Sequence, residues 1–428
     1  MLRVPTQSFQ KIALFRALTL MVSGFFSLSG ANAVLGHYGL RGFAQYSILI
    51  ALVLFFNFAD FGFGLNLLKL SGRGIGSVKE LTEAFSNSFR MISLSSLFLG
   101  SLVFCLCFIG FTTTMLGIED PNLNWSIFMF LGIALAGTPF KLSYSVLYGT
   151  AKSTTVLTLQ FISSILLWVF LLIATNLGMN FAMLISLASV PQFMTQVAGY
   201  LIVRKHIIPS GVNVNSRFKW QVPKSALPYV GLLALLPLPI EFARISLNHF
   251  SGALEVSQFG LLFIFFNAAL SVMQSAGPSM TARYVALDIR EQCLFLKISL
   301  KNYFILGILG AFGLGTLPPL IIDLFMNQKF KFRTIDLFIL SFLFFIYCLT
   351  YPLAMYLLTS TKQINFLVFC AALNIILVIL SIYLGRTGLG LVYVLSLINI
   401  SYISSTVIPI AVRTFRIVTR GINPVDFY

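Results

Sequence analysis

Twelve apolar runs, each about 20 residues long, constrain this chain more than any other feature. They fall at about Ile12–Leu35, Phe43–Leu68, Met91–Phe111, Trp125–Tyr148, Thr154–Asn176 and Met179–Val203, and then at about Ala226–Leu247, Ser257–Thr281, Ile298–Ile322, Asp336–Leu358, Phe366–Leu384 and Leu389–Val412. About 20 apolar residues in a helix cross the hydrocarbon core of a bilayer. The composition agrees: 58% of the 428 residues are hydrophobic and 9% are charged, against about a quarter charged in soluble proteins. With 28 basic and 12 acidic residues, the chain could not cover a globule in water. A soluble enzyme, a disordered chain and a secreted disulfide scaffold are excluded. So is a single-anchor receptor, because no polar stretch is long enough for an ectodomain. The expectation is an all-α polytopic membrane protein with about 12 transmembrane helices.

The formal net charge of +16 does not point to nucleic acid, whose binders gather basic residues on one folded face or arm. Here the cations sit in short loops between apolar runs. With the N-terminus placed inside, five of the 28 basic residues (Arg41, Lys329, Lys331, Arg333, Arg386) fall in outer loops and three (Arg16, Lys141, Arg244) within spans, which leaves 20 on the inner side. Cytoplasmic loops carry the excess of Lys and Arg, so both termini are expected in the cytoplasm. The outer stretch Lys329 to Arg333 runs against this trend. Arg3, Lys11, the following apolar stretch and Ala31-Asn32-Ala33 imitate a signal peptide with its small-residue cleavage site. The helix is expected to be retained, because it has a counterpart later in the chain. The five cysteines, Cys105, Cys107, Cys293, Cys348 and Cys370, lie mostly inside apolar runs. Cys105-Leu-Cys107 has the wrong spacing for a redox or zinc pair, so they read as small packing residues.

The counterpart is an internal repeat. His37-Tyr38 matches His249-Phe250 at an offset of 212, and Gln45-Tyr46 matches Gln258-Phe259 at 213. Pro139 matches Pro352 at 213, and Lys152 matches Lys362 at 210. Two six-helix lobes follow, residues 1–203 and 226–428, joined by a polar cytoplasmic linker at 204–225. Each lobe has an even number of spans, so both insert the same way, as parallel repeats about an axis along the membrane normal.

No enzyme motif stands out. Three histidines, His37, His206 and His249, cannot build a metal cluster without carboxylates at helical spacing. Ser71-Gly72-Arg73-Gly74-Ile75-Gly76 lacks the lysine and following helix of a phosphate loop. Enzymes acting on lipid-linked sugars at the outer face carry a large outer loop, and none here exceeds about 14 residues. Charges inside the spans are the remaining leads, since an ionised group at the bilayer centre costs about 2.5–3.5 kcal/mol on insertion scales. Five qualify: Arg16, Asp60, Lys141, Glu241 and Arg244. Arg16 and Lys141 can snorkel to the inner surface, Asp60 can pair with a cation in the first span, and Glu241 and Arg244, three apart on one helix face, can neutralise each other. Taken together they would line one cavity with a small positive excess, suited to an anionic headgroup such as pyrophosphate. Pro237-Leu238-Pro239 falls in the middle of the seventh span. Two prolines remove two backbone donors, so the helix must kink or unwind there, either as a static bend or as a hinge beside a binding site.

With these residues in view, the chain resembles the polysaccharide flippases of the multidrug/oligosaccharidyl-lipid/polysaccharide (MOP) exporter superfamily, especially the O-antigen (Wzx-type) flippases. Phe43-Ala44-Gln45-Tyr46-Ser47 looks like the family's start of the second span, and Phe58-Ala59-Asp60-Phe61-Gly62-Phe63-Gly64 is similar to its Asp-aliphatic-Gly signature. Tyr148-Gly149-Thr150-Ala151-Lys152 resembles the turn after the fourth span, and Pro278-Ser279 the end of the eighth. The resemblance implies a MATE/MOP-like, V-shaped pair of six-helix bundles around a cationic cavity, in the bacterial cytoplasmic (inner) membrane. It implies a flippase that moves an undecaprenyl-pyrophosphate-linked oligosaccharide to the periplasmic leaflet by alternating access, with membrane lipid and a polysaccharide polymerase or chain-length machinery as further partners. The carried-over positions are Asp60 and the cavity cations Arg16, Lys141 and Arg244. No metal and no cofactor are expected; H+ or Na+ coupling through Asp60 or Glu241 stays open. A multidrug antiporter of the same superfamily would favour a net negative cavity. A membrane polysaccharide polymerase would need a large outer loop, and a major-facilitator transporter a basic Gly-x-x-x-Asp-Arg signature, which Lys69 to Glu83 lacks.

Overall fold

The computed structural model describes residues 9–55, 63–72, 78–118, 120, 122–150, 152–207, 226–274, 277, 280, 284, 287–326, 330–358, 361–385 and 390–420. Its secondary structure is helical. In order, the helices are α1 (Phe9–Phe55), α2 (Phe63–Gly72), α3 (Val78–Phe108), α4 (Phe111–Leu116), α5 (Leu123–Gly149), α6 (Ser153–Asn176), α7 (Phe181–Leu187) and α8 (Val190–His206). They continue as α9 (Ala226–Leu235), α10 (Leu238–Phe250), α11 (Ala253–Gln274), α12 (Ile289–Met326), α13 (Thr334–Leu357), α14 (Thr361–Leu384), α15 (Leu391–Tyr402) and α16 (Ile408–Arg420). A π-helical turn, Ile403–Val407, joins α15 to α16. Among the described residues, nine helical segments are long and apolar enough to cross a membrane. The other three expected spans lie in α1 with α2, and in α9 with α10. The chain is a polytopic all-α membrane protein, as its apolar runs require.

Helix boundaries depart from the hydropathy in four places, each with a local reason. The expected loop between the first two spans is reduced to a kink, where two helices meet at Gly39 (φ 69, ψ −172), a positive-φ conformation that glycine adopts without steric cost. Helix α3 begins at Val78, well before the apolar run, because Lys79, Glu80 and Glu83 in its first turns are good helix formers. The sixth span is split ahead of Pro191, which takes the first turn of α8, where a missing N–H costs nothing. The seventh is split at Leu236–Pro237, and Pro239 sits in the first turn of α10. The break is tight: Leu236 N–H still reaches Leu232 O at 3.0 Å and Glu241 N–H reaches Pro237 O at 3.1 Å.

The chain divides into two compact units, Met1–Val230 and Gly231–Tyr428, with the division inside α9. Of the expected linker, residues 208–225 lie outside the described residues. In the first unit α5 touches each of the other seven helices among α1–α8. In the second, α13 touches α11, α12, α14, α15 and α16. These two hub helices carry Pro139 and Pro352, the matched prolines of the repeat. Gly39 and Gly252, also 213 apart, both have positive φ, 69° and 103°.

Lipid tails are as apolar as leucine, so these helices associate through close packing and hydrogen bonds rather than escape from water. Trp168 Nε1–H donates to Ser29 Oγ at 3.0 Å, joining α6 to α1. Ser189 Oγ–H donates to Phe130 O at 2.8 Å, and the hydroxyls of Ser96 and Thr138 meet at 2.6 Å between α3 and α5. In the second unit Tyr303 OH donates to Met273 O at 2.9 Å and Asn399 Nδ2 to Ile339 O at 3.2 Å. Gly149, at the end of α5, lets α2 approach. A Cβ there would collide with Ser71 Oγ and come within 2.8 Å of Leu68 O. Overpacking of this kind costs about 1–3 kcal/mol. Gly149→Ala is therefore expected to lower the thermal midpoint of the purified protein, and Ser71→Ala to recover only part of the loss because the backbone oxygen remains. An unchanged midpoint in Gly149→Ala would refute this close approach.

Candidate functional site

Glu241 sits in the first turn of α10 and Arg244 in the second, just after the break at Leu236–Pro237. The three-residue spacing places them on one face, and Arg244 Nη1 lies 3.1 Å from Glu241 Oε2. Both are buried, at 4% and 5% exposure. Helix α10 packs against α11, α14 and α15, and the Arg244 guanidinium lies 5.5 Å from the centre of the Phe259 ring on α11. Phe259 stacks in turn on Phe263 at 4.2 Å. The pair is thus built into the second unit, with the positive charge met by a carboxylate and an aromatic face.

Lys141 belongs to the first unit. It is half-buried on α5, two residues after Pro139. A proline leaves the carbonyl four residues earlier without its helical donor, here Leu135 O. Thr138 supplies the replacement, its hydroxyl donating to Leu135 O at 2.5 Å, so the helix passes the proline with that carbonyl satisfied. Lys141 then opens on a cavity of about 140 Å³, lined also by Leu142, Tyr144, Ser145 and Tyr148 of α5 and Gln160 of α6.

Of the other expected site residues, Arg16 lies in α1 with its side chain outside the described part of the structure, and Asp60 lies outside the described residues altogether. So do residues 58–62 of the Asp-aliphatic-Gly stretch and Pro278-Ser279. Among the five span charges, the structure brings Glu241 and Arg244 together. Among the described residues, no group of three or more His, Cys, Asp or Glu could hold a metal ion.

The second unit also holds polar groups that hydropathy conceals. Tyr347 and Tyr402 stack almost parallel, at 4.2 Å and 3°. Arg413 Nε–H donates to the buried Gln363 Oε1 at 3.0 Å and its guanidinium lies 5.4 Å from the Phe366 ring. The π-helical turn at Ile403–Val407 precedes Pro409, whose ring would clash with the carbonyl of Ser405 in a regular α-helix. Asn374 and Asn399 are buried at 7% and 4% exposure, and their side-chain oxygens have no hydrogen-bond partner among the described residues. An isolated Asn within an apolar run was the available signal for both, since polar residues in spans are rarely without a role.

Removing one partner of a buried ion pair leaves the other charge uncompensated, at about 3–5 kcal/mol. Glu241→Gln and Arg244→Gln should each destabilise the protein strongly, and the double replacement should cost less than their sum. Equilibrium unfolding in bicelles reads this out. Additive losses would show that the pair contributes nothing as a pair.

Comparison with known proteins places this geometry. The model of a family described as "Polysaccharide biosynthesis protein" matches residues 37–277. No curated protein matches the chain. Among solved structures, one named protein A superposes with a TM-score of 0.68 at 15% identity, covering 100% of this chain and 99% of its own. The MATE multidrug transporter DinF-BH, solved as a ligand complex, gives a TM-score of 0.67 at 16% identity, with 96% of each chain covered. An inward-facing multidrug resistance MATE family transporter of the MOP superfamily gives 0.65 at 14% identity, covering 96% of this chain and 98% of its own. At these identities the likeness is one of fold.

Proposed function

The chain belongs to the polysaccharide biosynthesis protein family, and from that premise we propose that it is a flippase for undecaprenyl-pyrophosphate-linked oligosaccharide, an O-antigen or related surface-polysaccharide repeat unit. It carries this lipid from the cytoplasmic to the periplasmic leaflet of the bacterial inner membrane by alternating access. The observation that carries the reading is the family match over residues 37–277 on a chain that shares, over 96% of its length, the fold of a MATE family transporter. No covalent step is asked of the protein. Its task is to give a charged headgroup and a hydrated sugar a polar route while the polyprenyl tail stays in lipid.

In this reading the span cations meet the pyrophosphate. Glu241 offsets Arg244 at 3.1 Å, which lowers the net attraction of that cation for the headgroup. The helix break at Leu236–Pro237 is the hinge, because two prolines in one turn leave fewer backbone hydrogen bonds to break when the segment bends. Coupling to H+ or Na+ would run through Asp60 or Glu241. Both termini lie in the cytoplasm, and the polysaccharide polymerase and chain-length machinery receive the product. The second reading, a multidrug or cation antiporter, draws on the fold it shares with the multidrug transporter DinF-BH.

A deletion strain fed labelled sugar tests the proposal. Complete lipid-linked units should accumulate on the inner leaflet and reach the outer one when the gene is restored. Unchanged pools, with drug efflux lost, would replace this reading with the antiporter. In the restored strain, Pro237→Ala with Pro239→Ala should slow translocation while the protein still inserts; an unchanged rate would reduce the prolines to a packing role. Fusions to the C-terminus should make green fluorescent protein fluoresce and leave alkaline phosphatase inactive, and the opposite pattern would overturn the orientation.

A further inference from the structure

Between the exposed Arg90 on α3 and Glu119, residues 91–118 carry no charge, a stretch longer than the about 20 residues that a span needs. Helix α3 uses the first part of it. From Arg90 to its end at Phe108 the helix rises about 27 Å at 1.5 Å per residue, close to the hydrocarbon thickness of about 30 Å. Residues 109–118 therefore have no bilayer left to cross. By the charge asymmetry they lie at the outer end of the first unit, yet they read Ile-Gly-Phe-Thr-Thr-Thr-Met-Leu-Gly-Ile, without the charges of a loop in water.

Their structure fits the boundary between lipid and water. Gly110 and Gly117, at φ 72° and 68°, bracket the short helix α4, which packs on α3 and α5. Thr113 and Leu116 turn inward, while Phe111 and Met115, four apart on the opposite face, are exposed. Phe108 and Ile109 just before the turn are exposed too, and so is Trp125 in the first turn of α5, at 56%. The polar atoms are satisfied within the segment. Thr112 Oγ1–H donates to Asn124 Oδ1 at 2.7 Å, the Thr113 and Thr114 hydroxyls donate to Gly110 O, and Ile118 N–H reaches Thr113 O at 2.8 Å. A segment with these hydrogen bonds closed and its apolar side chains turned out is suited to leaving water.

The fold does not demand such a segment. At the spacing of 213 that relates Pro139 to Pro352, residues 108–125 correspond to 321–338 of the second unit, which carry Asp323, Lys329, Lys331, Arg333 and Asp336. There Phe338 stands where the first unit has Trp125, an apolar ring without the indole N–H. The same connection is thus charged in one unit and uncharged in the other.

We propose that α4, with Phe108, Ile109 and Trp125, is a membrane anchor that holds the outer end of the first unit in the outer leaflet, at the level of the lipid glycerol and carbonyl groups. Lipid is the partner because the exposed side chains gather where the chain reverses, at one depth, and include a tryptophan. Trp favours the interface, where its ring meets acyl chains and its N–H meets polar headgroup atoms. An amphipathic segment there sinks its apolar face about 5–10 Å into the boundary between headgroups and acyl chains. The anchor fixes the depth of α3 and of the hub helix α5, between which it is folded.

Trp125 is one of three tryptophans, with Trp168 and Trp220, so the fluorescence lost in Trp125→Phe measures its share. Full-length protein in phosphatidylcholine nanodiscs is quenched in turn by lipid nitroxides near the glycerol backbone, by lipid nitroxides at the acyl terminus, and by iodide in the water. The glycerol-level nitroxide should quench the Trp125 share about twofold or more over either of the others, because aromatic side chains settle at the headgroup level. Met115→Trp should add fluorescence with the same depth profile, and it decides alone should Trp125→Phe fail to fold. Phe111→Gln with Met115→Gln should raise iodide quenching of the Trp125 share, and no change would overturn the part given to α4. Strongest quenching at the acyl terminus would make the segment part of an ordinary span. Strongest quenching by iodide would put it in water, and no quenching by any of the three would mean that protein covers it. Each of these three results overturns the anchor.

Discussion

Inside a bilayer no water is available to a broken backbone hydrogen bond, and each orphaned N–H or C=O costs several kcal/mol. The rest of this structure depends on that constraint. It is why the described residues of the apolar runs are helical, and why three departures from regular helix are locally compensated. At Pro139 the compensation is the Thr138 hydroxyl on Leu135 O. Before Pro409 it is a π-helical turn, with Ser404 Oγ–H on Ile400 O at 2.8 Å and Ser405 Oγ–H on Ser401 O at 2.5 Å. At Pro237 the flanking hydrogen bonds from Leu236 and Glu241 close around the break.

The same constraint decided what could be read from the sequence. Span number and placement were legible because a transmembrane helix must be apolar along about 20 residues whatever its neighbours. The break in the seventh span followed from the chemistry of Pro237 and Pro239 alone, and the contact between Glu241 and Arg244 from helical spacing. What depended on a neighbour was hidden. That the turn between the first two spans narrows to a kink at Gly39 required knowing that its φ is positive. The approach of α2 to Gly149 depends on Ser71 and Leu68, some 80 residues away in sequence. The cavity at Lys141 draws Gln160 from the next helix, which the spacing of polar residues within α5 does not reveal. Asp60, the most specific part of the family resemblance, lies outside the described residues, so its place rests on sequence alone.

The repeat adds a further step. Its two halves share backbone devices at a spacing of 213: Gly39 with Gly252, and Pro139 with Pro352, each proline on the helix that organises its unit. They do not share charge. At the same offset Arg16 meets Tyr229, Asp60 meets Met273 and Lys141 meets Ala354, while Glu241 and Arg244 meet Leu28 and Ala31, which are themselves buried at 3% and 2% exposure. A six-helix unit of this design therefore packs without an ionised group at any of these positions. The cost of inserting such groups is borne in one half only at each position, which is hard to explain by folding and straightforward if the charges act on something other than the scaffold. The contrast is sharpest at Lys141, which faces a cavity. It is weaker at Arg244, whose partner Glu241 is equally absent from the other half, so that the two can have arisen together as a self-contained pair. The asymmetry thus separates the described span charges into a buried pair within one unit and a cation that faces a cavity.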